Sequence, residues 1–216
     1  LKYIPFYLIC IYLVGITGML SPYADTFVLL TPLNLFVSLS LITLYQQPKD
    51  ANFWLFITLS GLLGFIIEAI GTSTGVIFGE YTYGQTLGFK ILSTPLTMFI
   101  NWATLMYCNL MLINQLYPKI NKYAKSLIAA TLMVLMDFLI EPTAIKFDFW
   151  SWQSEGINDF LVAPLQNYVA WFIISFVLYL FLTPLVNYYQ NKAAVWLLFL
   201  QFIFFAILDY AYIPFY

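Results

Sequence analysis

Long apolar runs separated by short polar breaks leave this chain few ways to fold. A helix that crosses a bilayer needs roughly 20 predominantly apolar residues, because a rise of about 1.5 Å per residue then covers the hydrocarbon thickness. Runs of this kind lie at approximately Tyr3–Leu20, Phe27–Tyr45, Phe53–Ile70, Ile91–Leu116, Leu127–Ile140, Leu165–Val186 and Ala194–Tyr212. The breaks "SPYADT", "QQPKDAN", "YPKINKYAK" and "NYYQNKAA" carry the Pro, Asn, Asp and Lys of turns. The fifth run is short unless it continues past Pro142. The expected fold is all-α, a polytopic integral membrane protein of about seven transmembrane helices in one bundle. It is read as a single transmembrane domain over 1–216, with no internal repeat or linker. The first run lacks a small-residue cleavage site and is followed by further spans, so it reads as a span and not as a cleaved leader.

Composition narrows the chemistry. Only 8% of the residues are charged, against about 25% in a soluble domain. There is no histidine, and every basic residue is a lysine. Imidazole chemistry and the usual zinc sites are therefore excluded, and nucleic-acid binding has no basic patch to rest on. Cys10 and Cys108 lie in apolar runs and read as buried thiols. With seven spans, Lys2, Lys49, Lys119, Lys122, Lys125 and Lys192 fall on one face, and only Lys90 and Lys146 on the other. The positive-inside bias then puts the amino terminus in the cytoplasm and the carboxy terminus outside, in a multi-pass protein of the cell's inner (plasma) membrane. An even number of spans spoils this sorting.

In so uncharged a chain the carboxyl groups stand out. Glu68 lies about 24 Å along the third run from Asn52. Asp137 and Glu141 are four residues apart and share one face of the fifth. Asn101 in the fourth run and Asn167 in the sixth reach a similar depth, which makes one polar layer in the outer half of the membrane. Ionisable residues inside a membrane cost roughly 2.5–3.5 kcal/mol on insertion scales and face the bundle interior, so the layer reads as a shared pocket. The plainer alternative is that each group bonds a neighbouring helix or reaches interfacial water. Asp209, near the end of the last run, reads as structural. The flanking segments "GTSTGVIFGEYTYG" and "EPTAIKFDFWSWQ" mix carboxylates with Tyr and Trp. Irregular backbone at membrane depth lines cavities, although an interfacial aromatic belt suffices for Tyr81, Tyr83 and Trp152 and says less about Trp102 and Trp171.

Carboxylic acids, aromatic faces and a dry pocket, without His or Arg, suit acid-initiated chemistry on an isoprenoid alkene. A desolvated carboxyl keeps its proton and can donate it. Protonation of a trisubstituted alkene gives a tertiary carbocation, which aromatic faces stabilise by about 2 kcal/mol each when desolvated. A second carboxylate can activate water to capture it. Spacing alone does not separate this scheme from a proton relay. "DFLIE" also admits a metal-dependent prenyl transfer, but diphosphate binding normally needs basic partners; the chain has no arginine, and its cytoplasmic lysines lie on the wrong face.

"GFIIEAIGTSTGVIFGEYTYG", "STPLTMFINWATLMY", "MDFLIEPTAIKFDFWSW" and "APLQNYVAWFIIS" resemble, in order, the core blocks of the carotenoid biosynthesis membrane proteins, which include carotenoid 1,2-hydratases of bacteria and haloarchaea. The resemblance covers about 60–180. It implies addition of water to the terminal double bond of an acyclic carotenoid such as lycopene or a derivative, with no cofactor and no metal. The implied partners are that carotenoid, water, the lipid bilayer and, as candidates, other carotenoid enzymes. Glu141 stands where the family more often has Asp, and Thr94 where it often has Gly.

Matched to these blocks, the candidate site residues are Glu68, Glu80, Tyr81, Asn101, Trp102, Asp137, Glu141 and Asn167, with Trp171 beside them. Asp137 or Glu68 is expected to donate the proton and Glu141 to activate water. Trp102, Trp171 and Tyr81 would line the cationic end, Glu80 would contribute to substrate binding, and Asn101 and Asn167 would orient the acids. A carotenoid end-group cyclase shares the protonation but ends by losing a proton. A proton-coupled transporter or carotenoid-binding scaffold is the alternative outside catalysis.

Overall fold

A computed structural model of the chain describes residues 3–153 and 162–212. Lys2, used in the charge sorting, lies outside them. Eight helices are present among the described residues: α1 (Ile4–Met19), α2 (Ala24–Val28), α3 (Thr31–Tyr45), α4 (Ala51–Thr74), α5 (Thr97–Leu116), α6 (Lys122–Lys146), α7 (Leu165–Val186) and α8 (Lys192–Tyr212). Four short strands, β1 (Tyr81–Tyr83), β2 (Lys90–Ile91), β3 (Thr94–Pro95) and β4 (Trp150–Trp152), form two antiparallel pairs, β1 with β4 and β2 with β3.

Local sequence accounts for the helix ends. Pro5 and Pro32 sit in the first turns of α1 and α3, where the missing N–H is no loss. Asp50 and Asn121 cap α4 and α6, accepting from Phe53 N at 3.0 Å and Ala124 N at 2.9 Å. Gly75 ends α4 in the left-handed conformation at φ 67°.

By length and composition α4, α6, α7 and α8 can cross a membrane; α1 and α3, at 16 and 15 residues, are shorter apolar helices. Three expected spans have different bounds. The run from Phe27 to Tyr45 is broken, because α2 stops at Val28 and α3 starts afresh before Pro32. The fourth begins at Thr97 and not at Ile91: Pro95 disfavours helix at Thr94, and the segment pairs as a hairpin with Lys90 opposite Pro95 and Ile91 opposite Thr94. The fifth does run past Pro142, to Lys146.

Helix α5 is the buried axis. Trp102 through Met111 are without exception buried, and α3, α4, α6 and α8 pack around it. Two glycines let α4 close on it: a Cβ on Gly61 would stand 2.8 Å from the Phe99 ring, and one on Gly64 2.2 Å from Cγ of Trp102.

The two ends of the bundle differ in chemistry. At one, the buried Lys125 ammonium donates to Asn114 Oδ1 and Asn187 Oδ1, both at 2.6 Å. Asn114 donates to the carbonyls of Val186 and Tyr189, and the Tyr189 hydroxyl to Asp50. These bonds tie the starts of α4 and α6 to the ends of α5 and α7, and they gather Lys49, Lys119, Lys122, Lys125 and Lys192 at one end. Lys90 and Lys146 lie at the other, with the carboxyl groups.

Candidate active site

The site forms at that second end, where four helices and the β1–β4 ladder converge. Glu68 projects from the last turns of α4 and is 3% exposed. Because Gly64 has no side chain, Trp102 packs directly against α4, and its indole N–H donates to Glu68 Oε1 at 3.0 Å. The same indole stacks on Trp171 of α7, with centroids 4.6 Å apart and planes 17° off parallel. Strand β1 alternates buried, exposed, buried over Tyr81, Thr82 and Tyr83, so both tyrosines turn inward. Their hydroxyls donate to Glu68 Oε2 at 2.6 and 2.7 Å.

The ladder serves a second carboxyl by the same geometry. Tyr81 pairs with Trp152 and Tyr83 with Trp150, and directly opposed residues of an antiparallel pair share a face. Both indoles therefore point inward, and both donate to Glu141 Oε2, Trp150 at 3.1 Å and Trp152 at 2.8 Å. Beyond the strands, Gly84 N bonds Phe149 O at 3.0 Å and Thr86 bonds Phe147 O at 2.8 Å, which closes β1 onto the end of α6. A Cβ on Gly84 would stand 2.0 Å from the Asp148 carbonyl, so the closure requires glycine.

Asp137 and Glu141, 2% and 1% exposed, stand one turn apart on α6. The Asn167 amide donates to Asp137 Oδ2 at 2.7 Å and lies 3.4 Å from Glu141 Oε1. The three carboxyls thus differ in what holds them. Among the described residues Glu68 has three donors over both oxygens, Glu141 has two indoles on one oxygen and the longer Asn167 contact on the other, and Asp137 has a single amide. All three line one cavity of about 20 Å³, with Asn101, Met98, Trp150 and Trp171 among its walls. That is the room one water occupies. A larger apolar cavity, about 350 Å³, lies between α1, α3 and α8, and no carboxyl lines it.

Tyr81 and Tyr83, on the ladder, have their hydroxyls raised well above the usual tyrosine range, by burial first and then by the Glu68 carboxyl beside them. They act as fixed donors. Among the described residues no lysine lines the cavity, so none gives a diphosphate the cation that the prenyl-transfer alternative requires.

Residues 26–213 match the family model of the carotenoid biosynthesis proteins. The chain belongs to this family. The match is wider than the block from 60 to 180 that carries the motifs. Among curated proteins, this family member is similar to the bisanhydrobacterioruberin hydratase of Haloarcula japonica, 30% identical over 118 residues. That alignment covers 52% of this chain and 38% of the relative, so the chain spans well under two thirds of the relative's length. No solved structure matches it.

In this carotenoid biosynthesis protein most of the expected site residues come together. Glu68, Tyr81, Asn101, Asp137, Glu141, Asn167 and Trp171 line the one cavity, and Trp102 stands directly behind Glu68. Glu80 does not join them. It precedes Tyr81 in the alternation and is exposed, because the pleat that turns Tyr81 inward turns its neighbour out. Sequence reasoning left Tyr83 and Trp152 to an aromatic belt and gave Trp150 no role, yet all three donate to buried carboxyls. The signal was the i, i+2 spacing of "YTY" and "WSW", two short strands with aromatics on one face. Asp209 is structural, accepting from the Thr143 hydroxyl at 2.8 Å across α6 and α8.

Proposed function

We propose that this protein is a hydratase of acyclic carotenoids that adds water across a terminal double bond, without a cofactor, by carboxylic-acid protonation and water capture of a tertiary carbocation. The observation that carries this reading is the convergence of Glu68, Asp137 and Glu141, from two helices, on one water-sized cavity walled by indoles and phenols. Three carboxyls with no basic side chain among the lining residues cannot all carry charge, so the set holds protons to give. Asp137 is the donor in preference to Glu68: among the described residues Asn167 engages one of its oxygens and no side chain engages the other, whereas both Glu68 oxygens are taken. Glu141, anchored through Oε2 by two indoles, takes the proton from water through Oε1. The stacked Trp102 and Trp171 and the Tyr81 ring flank the cation. The likeness to a bisanhydrobacterioruberin hydratase supports the same class of reaction.

The cavity is smaller than an isoprenoid end group, so substrate entry has to displace wall side chains. Met98 is the most adaptable of them. In the bilayer we propose seven crossings, with the lysine-rich end in the cytoplasm and the carboxyl end outside. The test is expression in a lycopene-producing host, followed by mass spectrometry of the pigments. Hydration adds the mass of one water. Cyclisation leaves the mass unchanged, and a binding or transport protein leaves the pigment as it was; either result removes the hydratase reading.

A further inference from the structure

We infer that Asn101 is the anchor of the nucleophilic water and thereby decides that the carbocation is captured rather than deprotonated; this rests on the hydratase reading above. The two asparagines of the site are not equivalent. Asn167 is 2% exposed and spends its N–H donors on Asp137 and Glu141. Asn101 lines the same cavity from the first turns of α5, yet among the described residues its amide has no hydrogen-bond partner. A partly buried amide in a water-sized cavity with free hydrogen-bonding capacity is satisfied most simply by water. Glu141 Oε1, which Asn167 holds only at 3.4 Å, offers that water its second partner. Of the other donors on the cavity wall, Tyr81 and Tyr83 are committed to Glu68, and Trp150 and Trp152 to Glu141; the Trp171 indole, stacked on Trp102, is a donor only and cannot also accept from a water, as the Asn101 amide can.

The chemistry balances around this water. The O–H bond of Asp137 breaks as its proton bonds to the terminal alkene, whose electron pair forms the new C–H bond and leaves a tertiary cation. The water held by Asn101 and Glu141 forms the C–O bond and passes one proton to Glu141. Transfer of that proton from Glu141 to Asp137 restores the starting state. Without an anchored water the same cation loses a proton from a neighbouring carbon to a carboxylate, and the product is an isomerised or cyclised alkene of unchanged composition.

The two fates are separable with membranes containing the full chain, supplied with lycopene in D2O. The wild-type protein is expected to give a hydroxylated carotenoid with deuterium on carbon. Asn101→Leu is expected to lower the hydroxylated product by about 10²-fold, while deuterium still enters water-free carotenoid, because the protonating machinery is intact. Asn101→Ala carries the same expectation if the leucine variant fails to accumulate, and Asn101→Ser, which can again hold a water, is expected to recover part of the hydration. Undiminished hydration in Asn101→Leu or Asn101→Ala overturns the inference. So does parallel loss of hydration and deuterium, which would make Asn101 a support for the acids. A wild-type protein that produces no hydroxylated carotenoid fails the hydratase reading itself, a result distinct from either.

Discussion

Asp137 and Glu141 share one amide: Asn167 Nδ2 stands 2.7 Å from an oxygen of the first and 3.4 Å from an oxygen of the second. This bridge joins the proposed acid to the proposed base and sets the first expectation. In Asp137→Asn the new amide can turn its oxygen toward Asn167, so the packing survives and only the transferable proton is lost. Hydroxy-carotenoid formation is expected to fall by about 10²- to 10⁴-fold, the usual worth of a general acid, while membrane accumulation stays at the wild-type level. Pigment analysis beside an immunoblot checks both, and full activity would remove Asp137 from the mechanism.

Glu141 depends on the ladder for its position. Trp152→Phe keeps the ring packing and the strand pairing but removes the 2.8 Å donor. A hydrogen bond to a charged group contributes about 1.5–3 kcal/mol, so hydration per folded protein is expected to drop about 10- to 100-fold. Trp150→Phe, which removes the longer 3.1 Å contact, is expected to do less. An unchanged rate in Trp152→Phe would assign that indole to packing alone.

The ladder tyrosines supply a pH test. Burial and the neighbouring Glu68 push both hydroxyls upward, so the protonated, donating form is complete below the ordinary tyrosine pKa of about 10 and persists above it. Stability drawn from these phenols is thus present at neutral pH and is lost only as pH rises beyond that value. Any alkaline limb in the rate profile below about pH 10 belongs to other groups, and Tyr83→Phe is expected to lower the rate without moving it. A limb displaced in Tyr83→Phe would show that Tyr83 titrates in this range.

Gly64 sets the distance between α4 and α5. In Gly64→Ala the new methyl would lie 2.2 Å from Trp102 Cγ, and ring carbons of a fully buried indole cannot retreat without moving their surroundings. Overpacking of this kind costs about 1–3 kcal/mol. The variant is expected to melt at lower temperature in detergent and to lose activity beyond its loss of folded protein, because Trp102 is pushed from Glu68. Wild-type melting and activity would mean that the two helices separate freely.

The opposite end of the bundle affords a control. Lys125→Met leaves the Oδ1 atoms of Asn114 and Asn187 without their 2.6 Å donor, at about 1–3 kcal/mol for the buried Asn114 and less for the half-buried Asn187. Thermal stability is expected to fall while hydration per folded protein is retained, since Lys125 stands at the end away from the carboxyl groups. Loss of activity in properly folded Lys125→Met would tie that end to the reaction.

The sequence by itself determined that this chain is helical, that most of its lysines lie at the end away from Glu68, Asp137 and Glu141, and that these three with Asn101 and Asn167 belong together. Apolar length, helical rise and the cost of charge in a low-dielectric medium are local or additive quantities, legible along a single strand of text. Helix register at this coarse level also put Asp137 and Glu141 on one face. Tertiary structure alone decided which aromatic group holds which acid. The pairing of Tyr81 with Trp152 and of Tyr83 with Trp150 joins segments about seventy residues apart, and a strand of three residues has too little periodicity to declare which side it buries. The same pleat brought Tyr83, Trp150 and Trp152 to the carboxyls and turned Glu80 away. The break before Thr31 and the hairpin before Thr97 escaped the hydropathy reading because apolar residues fill a turn near a membrane as readily as a helix; what separates the two is where their backbone hydrogen bonds find partners.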